Sequence, residues 1–122
     1  MPQFIFLLRD DATAMADISP DEMQAVIEKY AAWGRRLEAA GQLVASDKLR
    51  DDEGRVLRPG PGGVRVIDGP YSETKEVVGG YFTVIADDYD GAEAIARSCP
   101  HVELGGVLEI RRIENVDGAD GG

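Results

Sequence analysis

The sequence predicts an α+β domain, a ferredoxin-like split βαβ with an extra hairpin, on three observations. Strand and helix signals alternate as strand, helix, strand, two short strands, strand, helix, strand. The strands at 3–9 and 81–86 are apolar on both faces, so each needs cover on two sides. The run Ser19-Pro20-Asp21-Glu22 combines a capping hydroxyl, a proline at the first helical position and a glutamate three residues after the cap, a strong helix start. With both helices on one side of the sheet, the other side is left for a second copy of the chain, which predicts a homodimer.

Each element has its own signal. In 3–9, Phe4, Phe6 and Leu8 point one way and Ile5 and Leu7 the other. The first helix carries Met23, Val26, Ile27, Tyr30, Gly34 and Leu37 at 3/4 spacing, with Ile18 and Met23 placed for a hydrophobic staple and Gly41 as its stop. Leu43 to Leu49 reads as a strand diluted by Ser46, Asp47 and Lys48. Val56-Leu57 and Val64 to Ile67 flank Pro59-Gly60-Pro61-Gly62-Gly63, which predicts a hairpin-like excursion with little regular pairing. Tyr81 to Ala86 is rich in β-branched and aromatic residues. The second helix starts near Asp88 or Asp90, buries Ala92, Ile95, Ala96 and Cys99, and is ended by Pro100. Val107 to Ile113 alternates, Leu108 and Ile110 on one side, Glu109 and Arg111 on the other. The division is one domain over 1–114 and a flexible acidic, glycine-rich tail over 115–122.

Composition excludes several classes. A chain of 122 residues with 43% apolar and 30% charged residues can fold around one core without metal or disulfide staples. A net charge of −10 repels nucleic-acid backbones and anionic lipid, so no nucleic-acid or membrane partner is expected. One cysteine, Cys99, allows no internal disulfide, and no signal region or span is seen, which predicts a cytoplasmic protein. One histidine and scattered carboxylates give no transition-metal set, and Gly60-Pro61-Gly62-Gly63 lacks the Lys-Ser/Thr of a phosphate loop. Neither metal nor cofactor is expected.

The densest cluster of turn formers and functional side chains is Asp68-Gly69-Pro70-Tyr71-Ser72-Glu73-Thr74-Lys75-Glu76, followed by Gly79-Gly80-Tyr81. This segment resembles the DGPF signature of the YciI-related family, with Tyr71 for the usual Phe and Ser72 for Ala. The early Phe-Ile-Phe-Leu-Leu strand, the helix start at Ser19, the Gly41-Gln42-Leu43-Val44 exit and the closing Gly106 to Arg111 fall in the family's order, so the resemblance covers about 3–113. It implies a dimeric α+β barrel. Some YciI-like members resemble enzymes acting on small aromatic substrates through a His and Asp pair, and DGPF members are often encoded beside sigma factors of the extracytoplasmic-function type. The enzymatic members place their histidine early; this chain has Arg9-Asp10-Asp11 there.

Candidate catalytic residues are His101, able to titrate near neutrality, and Asp68, as its orienting partner or as a base. Candidate substrate-binding residues are Arg9 for a carboxylate or phenolate, Tyr71 for an aromatic wall, Glu73 and Lys75 on one side of an extended loop, and Arg111 beside Glu109. Each has a purely structural alternative: a turn aspartate, a loop histidine, solvated ion pairs, packing tyrosines. Two function classes stay open. One is a protein that binds and transforms a small cyclic or aromatic metabolite beside the DGP loop, as a cofactor-independent lyase, isomerase or hydrolase. The other is a non-catalytic ligand-binding or regulatory protein of a sigma-factor pathway.

Overall fold

A computed structural model of the chain describes residues 1–11, 17–50, 53–69 and 76–115. The elements are β1 (Gln3–Asp11), α1 (Pro20–Ala39), β2 (Leu43–Lys48), β3 (Gly54–Gly60), β4 (Gly63–Gly69), β5 (Glu76–Ile85), α2 (Tyr89–Ala96), α3 (Pro100–Glu103) and β6 (Val107–Arg112). β2, β5, β1 and β6 lie side by side in that order, every neighbouring pair antiparallel, while β3 and β4 form a separate two-stranded sheet. Without the hairpin this is the split βαβ order, an α+β architecture with an antiparallel sheet.

The period-2 pattern of β1 decides what the helices cover. Phe4, Phe6 and Leu8 are buried with Phe82 and Val84 of β5, against Trp33 and Leu37 of α1 and Ala92 and Ala96 of α2. Burying such large side chains contributes roughly 1.5–3 kcal/mol each. Ile5 and Leu7 lie on the opposite face and are half-buried.

α1 begins as its sequence implies. Ser19 Oγ accepts the Glu22 N–H at 3.1 Å, and Pro20 occupies the first turn, where no N–H is needed. At its end Gly41 takes φ 70°, its N–H reaching the Glu38 carbonyl while the Gln42 N–H reaches that of Leu37. This double closure satisfies two orphan carbonyls and requires the left-handed conformation that glycine supplies. The buried stripe differs from the expected one at two positions. Ile27 is 52% exposed, and Trp33 is the helix's main core residue. Its indole packs edge-on to Phe82 and stacked on Phe6, and its N–H donates to Ser98 Oγ at 2.9 Å, so the one polar atom of a large ring is satisfied.

Two further expectations are corrected. The helix burying Ala92 and Ala96 ends at Ala96, and Pro100 opens a separate helical turn, α3, rather than closing α2. A proline without an N–H suits a first turn as well as it suits a stop. The hairpin is regular: β3 and β4 pair continuously from Gly54↔Gly69 to Gly60↔Gly63. Pro59 is tolerated because, among the described residues, no third strand pairs with the ribbon and demands its missing donor, and Gly63, at φ 116°, makes the tight reversal. No helix among the described residues is long and apolar enough to cross a membrane.

Candidate functional site

The helix-free face of the sheet is organised in rows by strand register. Asp47, Tyr81, Leu7 and Glu109 are successive cross-strand neighbours on β2, β5, β1 and β6. The adjacent row is Ala45, Thr83, Ile5 and Arg111. Arg9, two residues beyond Leu7, lies past the Glu109 row, opposite Val107. Aliphatic side chains thus form a floor between a phenol on one side and charged groups on the other.

The charged group is a ladder in which one carboxylate serves two guanidinium ions. Arg9 Nη1 donates to Glu109 Oε1 at 3.0 Å, and Arg111 Nη1 lies 3.5 Å from Glu109 Oε2. Arg9 and Glu109 side chains are each 34% exposed, so water still screens the pair and its contribution to stability is about 1 kcal/mol or less. The ladder's chemical value is orientation: it presents Arg donors over an apolar surface. Across the row, the Tyr81 hydroxyl donates to Asp47 Oδ2 at 2.6 Å. That hydrogen bond raises the Tyr81 phenol above its ordinary pKa, with lesser contributions from desolvation and the Asp47 charge.

His101 belongs to the other side of the sheet. It is buried in α3, its Nε2 2.8 Å from the Arg9 carbonyl and its Nδ1 3.0 Å from the Tyr30 hydroxyl. A carbonyl only accepts, so Nε2 carries the proton and, in the neutral ring, Nδ1 accepts from Tyr30. Burial first, then the Cys99 and Asp10 charges, push the Tyr30 phenol well above its usual pKa, which keeps it a donor. Gly106 closes the nest: a Cβ there would overlap the imidazole ring, and the Gly106 N–H bonds the His101 carbonyl at 2.9 Å. Cys99, wholly buried at the start of the same turn, has its thiol pushed up to about 11, mainly by burial, and is not a thiolate nucleophile at neutral pH.

The remaining candidates divide. Arg9 and Arg111 meet at Glu109. Asp68 stands near the end of β4 with its side chain 98% exposed, 4.0 Å from Arg55, while both ring nitrogens of His101 are engaged by Tyr30 and Arg9; the structure does not pair Asp68 with His101. Tyr71, Glu73 and Lys75 lie outside the described residues. Sequence reading missed the partnership of Tyr30 with His101, because 71 residues separate them, and the role of Gly106, whose only signal is its place in Gly105-Gly106 beyond α3. Asp47, taken as diluting a strand, is the Tyr81 acceptor; its register partner was the missing information. Among the described residues no cluster of His, Cys, Asp and Glu could hold a metal ion.

Comparison with known proteins places the chain. No curated protein matches its sequence. A solved structure that it resembles is the 5-chloro-2-hydroxyhydroquinone dehydrochlorinase of Burkholderia phenoliruptrix AC1100 in complex with 2,5-dihydroxybenzoquinone, at 16% identity over 98% of this chain and 100% of that one, with a TM-score of 0.49. The YCII-related domain matches residues 3–117, nearly the whole sequence. The chain therefore belongs to the YCII-related family.

Proposed function

We propose that the protein binds a small cyclic or aromatic metabolite on the helix-free sheet face, over Leu7 and between Tyr81 and Glu109. The row of Asp47, Tyr81, Leu7 and Glu109 carries this reading. β5 and β6 flank β1, so their side chains stand about 10 Å apart, twice the interstrand spacing. One substituted six-membered ring fits that gap, its face on the aliphatic floor. Its acidic or hydroxyl substituents would meet Arg9 and Arg111 at one end and the Tyr81 oxygen at the other.

A second copy of the chain completes the site in this proposal. Ile5, Leu7 and Ile85 are half-buried on a face that no described helix covers, and a facing sheet would bury them and exclude water from the ligand, forming a dimeric α+β barrel. Segment 70–75 follows β4 and leads into β5, whose Tyr81 belongs to the row, so the DGP loop stands close in sequence to this site.

A non-catalytic reading is favoured by one observation. His101 has both ring nitrogens engaged by protein groups, which suits a structural residue better than an acid or base exchanging protons with a ligand. Binding without turnover, in a regulatory protein of a sigma-factor pathway, is the outcome if ligands are found but none is transformed. A thermal-shift screen of aromatic acids, phenols and lactones tests both, with each hit incubated at length and analysed by mass spectrometry for product. Hits that are lost in Arg9→Gln and Tyr81→Phe support the site; absence of hits across these classes would remove it.

A further inference from the structure

Arg9 is gripped from both sides of the sheet. On the helix-free face its guanidinium donates to Glu109, and on the helix side its carbonyl accepts from His101. The grip falls opposite an irregularity in the neighbouring strand β5. The register of β1 against β5 shifts between Leu8 and Arg9, from Leu8↔Gly80 to Arg9↔Val78, so one residue of β5 is left over. Such a bulge re-aims the neighbouring side chains and loosens the local ladder. Arg9 keeps its regular pairing with Val107 of β6, and the His101 bond adds a second hold on a residue whose β5 pairing is offset.

We infer that His101 is a positioning residue for Arg9, its Nε2–H bond to the Arg9 carbonyl fixing the strand opposite the bulge so that the guanidinium faces Glu109 and the ligand row. This rests on the reading of the helix-free face as a ligand site. Tyr30 and Gly106 complete the device. The Tyr30 hydroxyl, kept protonated by its burial, occupies Nδ1 and holds the ring in the Nε2–H tautomer. Gly106 leaves the space that the ring fills. Helix α1, turn α3 and strand β1 thereby converge on one backbone carbonyl, and the consequence is expressed on the far side of the sheet.

Two isosteric substitutions separate positioning from simple support. His101→Gln keeps an N–H donor near the Nε2 position, whereas His101→Asn reaches only the Nδ1 position and leaves the Arg9 carbonyl without its partner. Gly106→Ala displaces an intact imidazole. In the wild type, long-range proton–nitrogen spectra should show His101 protonated at Nε2, a reading that needs no variant. The Arg9 guanidinium N–H groups should exchange with water about fivefold faster in His101→Asn and Gly106→Ala, the equivalent of one net hydrogen bond, and near the wild-type rate in His101→Gln. Benzoate, used as the anionic ring probe, should lose affinity in the same order. A wild-type ring protonated only at Nδ1 would overturn the inference, as would unchanged Arg9 exchange in folded His101→Asn, or His101→Gln behaving like His101→Asn. Should wild type ignore benzoate while Arg9 exchange follows the predicted order, the positioning role is supported and the ligand reading is what fails.

Discussion

The Tyr81 phenol and the Glu109 carboxylate stand on one row of the sheet, each the cross-strand neighbour of Leu7. Polar groups at both ends of an aliphatic span can recognise a ring by its face and its edge substituents together. Tyr81→Phe should keep the floor and remove one end. Because the Tyr81–Asp47 bond is solvent-exposed, melting temperature should barely change, while hits bearing a hydroxyl opposite their acid group should weaken by about five- to tenfold, as for one hydrogen bond. Calorimetric titration of wild type and variant decides this, and equal affinities would detach Tyr81 from the site.

The Arg9–Glu109 pair should matter more for binding than for folding. With both side chains one-third exposed in the single chain, a double-mutant cycle of Arg9→Gln and Glu109→Gln should give a coupling of at least about 0.5–1 kcal/mol in urea unfolding, the solvent-screened part shrinking with added salt. A larger coupling would report burial of the pair by the facing second copy, and no coupling at all would show that Arg9 and Glu109 do not pair in solution.

Gly106→Ala should destabilise the fold out of proportion to a single methyl. The added carbon falls on the His101 ring, which is itself tied to Tyr30 and Arg9, so overpacking should cost about 1–3 kcal/mol. Gly105→Ala provides a contrast of another kind: it meets no neighbour but is strained by φ 88°. Denaturant midpoints for the two report which constraint is larger.

High pH should weaken the protein partly through Tyr30. Its phenol has an ordinary value of 10.0 in the unfolded chain and a raised one in the fold, so above pH 10 the unfolded state releases a proton that the native state retains. Stability is therefore fully present below pH 10 and falls as pH rises, by up to about 1.4 kcal/mol per pH unit for this one group. Cys99, with its thiol raised to about 11, and Tyr81 act in the same direction. In Tyr30→Phe the slope above pH 10 should be shallower, after a loss near 1 kcal/mol at neutral pH from the missing bond to His101. An unchanged slope would show that Tyr30 titrates normally.

What could be read in advance followed local rules. Ser19, Pro20 and Gly41 bound α1 by capping chemistry that acts within four residues, and β6 declares its faces by alternation, whereas β1, apolar on both, shows only which residues share a face. Trp33 escaped because a helical stripe identifies a face but not which of two adjacent residues fills the core; Trp33 and Gly34 both border it, and the larger ring took the space over Phe6 and Phe82. Pro100 was misread because start and stop share one cause, a missing donor, and only α3 itself tells them apart. Glu109 and Arg111 were legible as sharing one face, but their meeting with Arg9 and their place beside Tyr81 and Asp47 were not, since register is a tertiary property set by the whole sheet.

A crystal structure of the protein with the tightest ring-shaped hit from the thermal-shift screen tests the central claim most directly. The ring should lie over Leu7, with its acidic group on Arg9 or Arg111 and an oxygen substituent near the Tyr81 hydroxyl, and a second copy of the chain should close the face above it. A ligand bound on the helix side, or on this face without contact to Arg9, Arg111 or Tyr81, would contradict it.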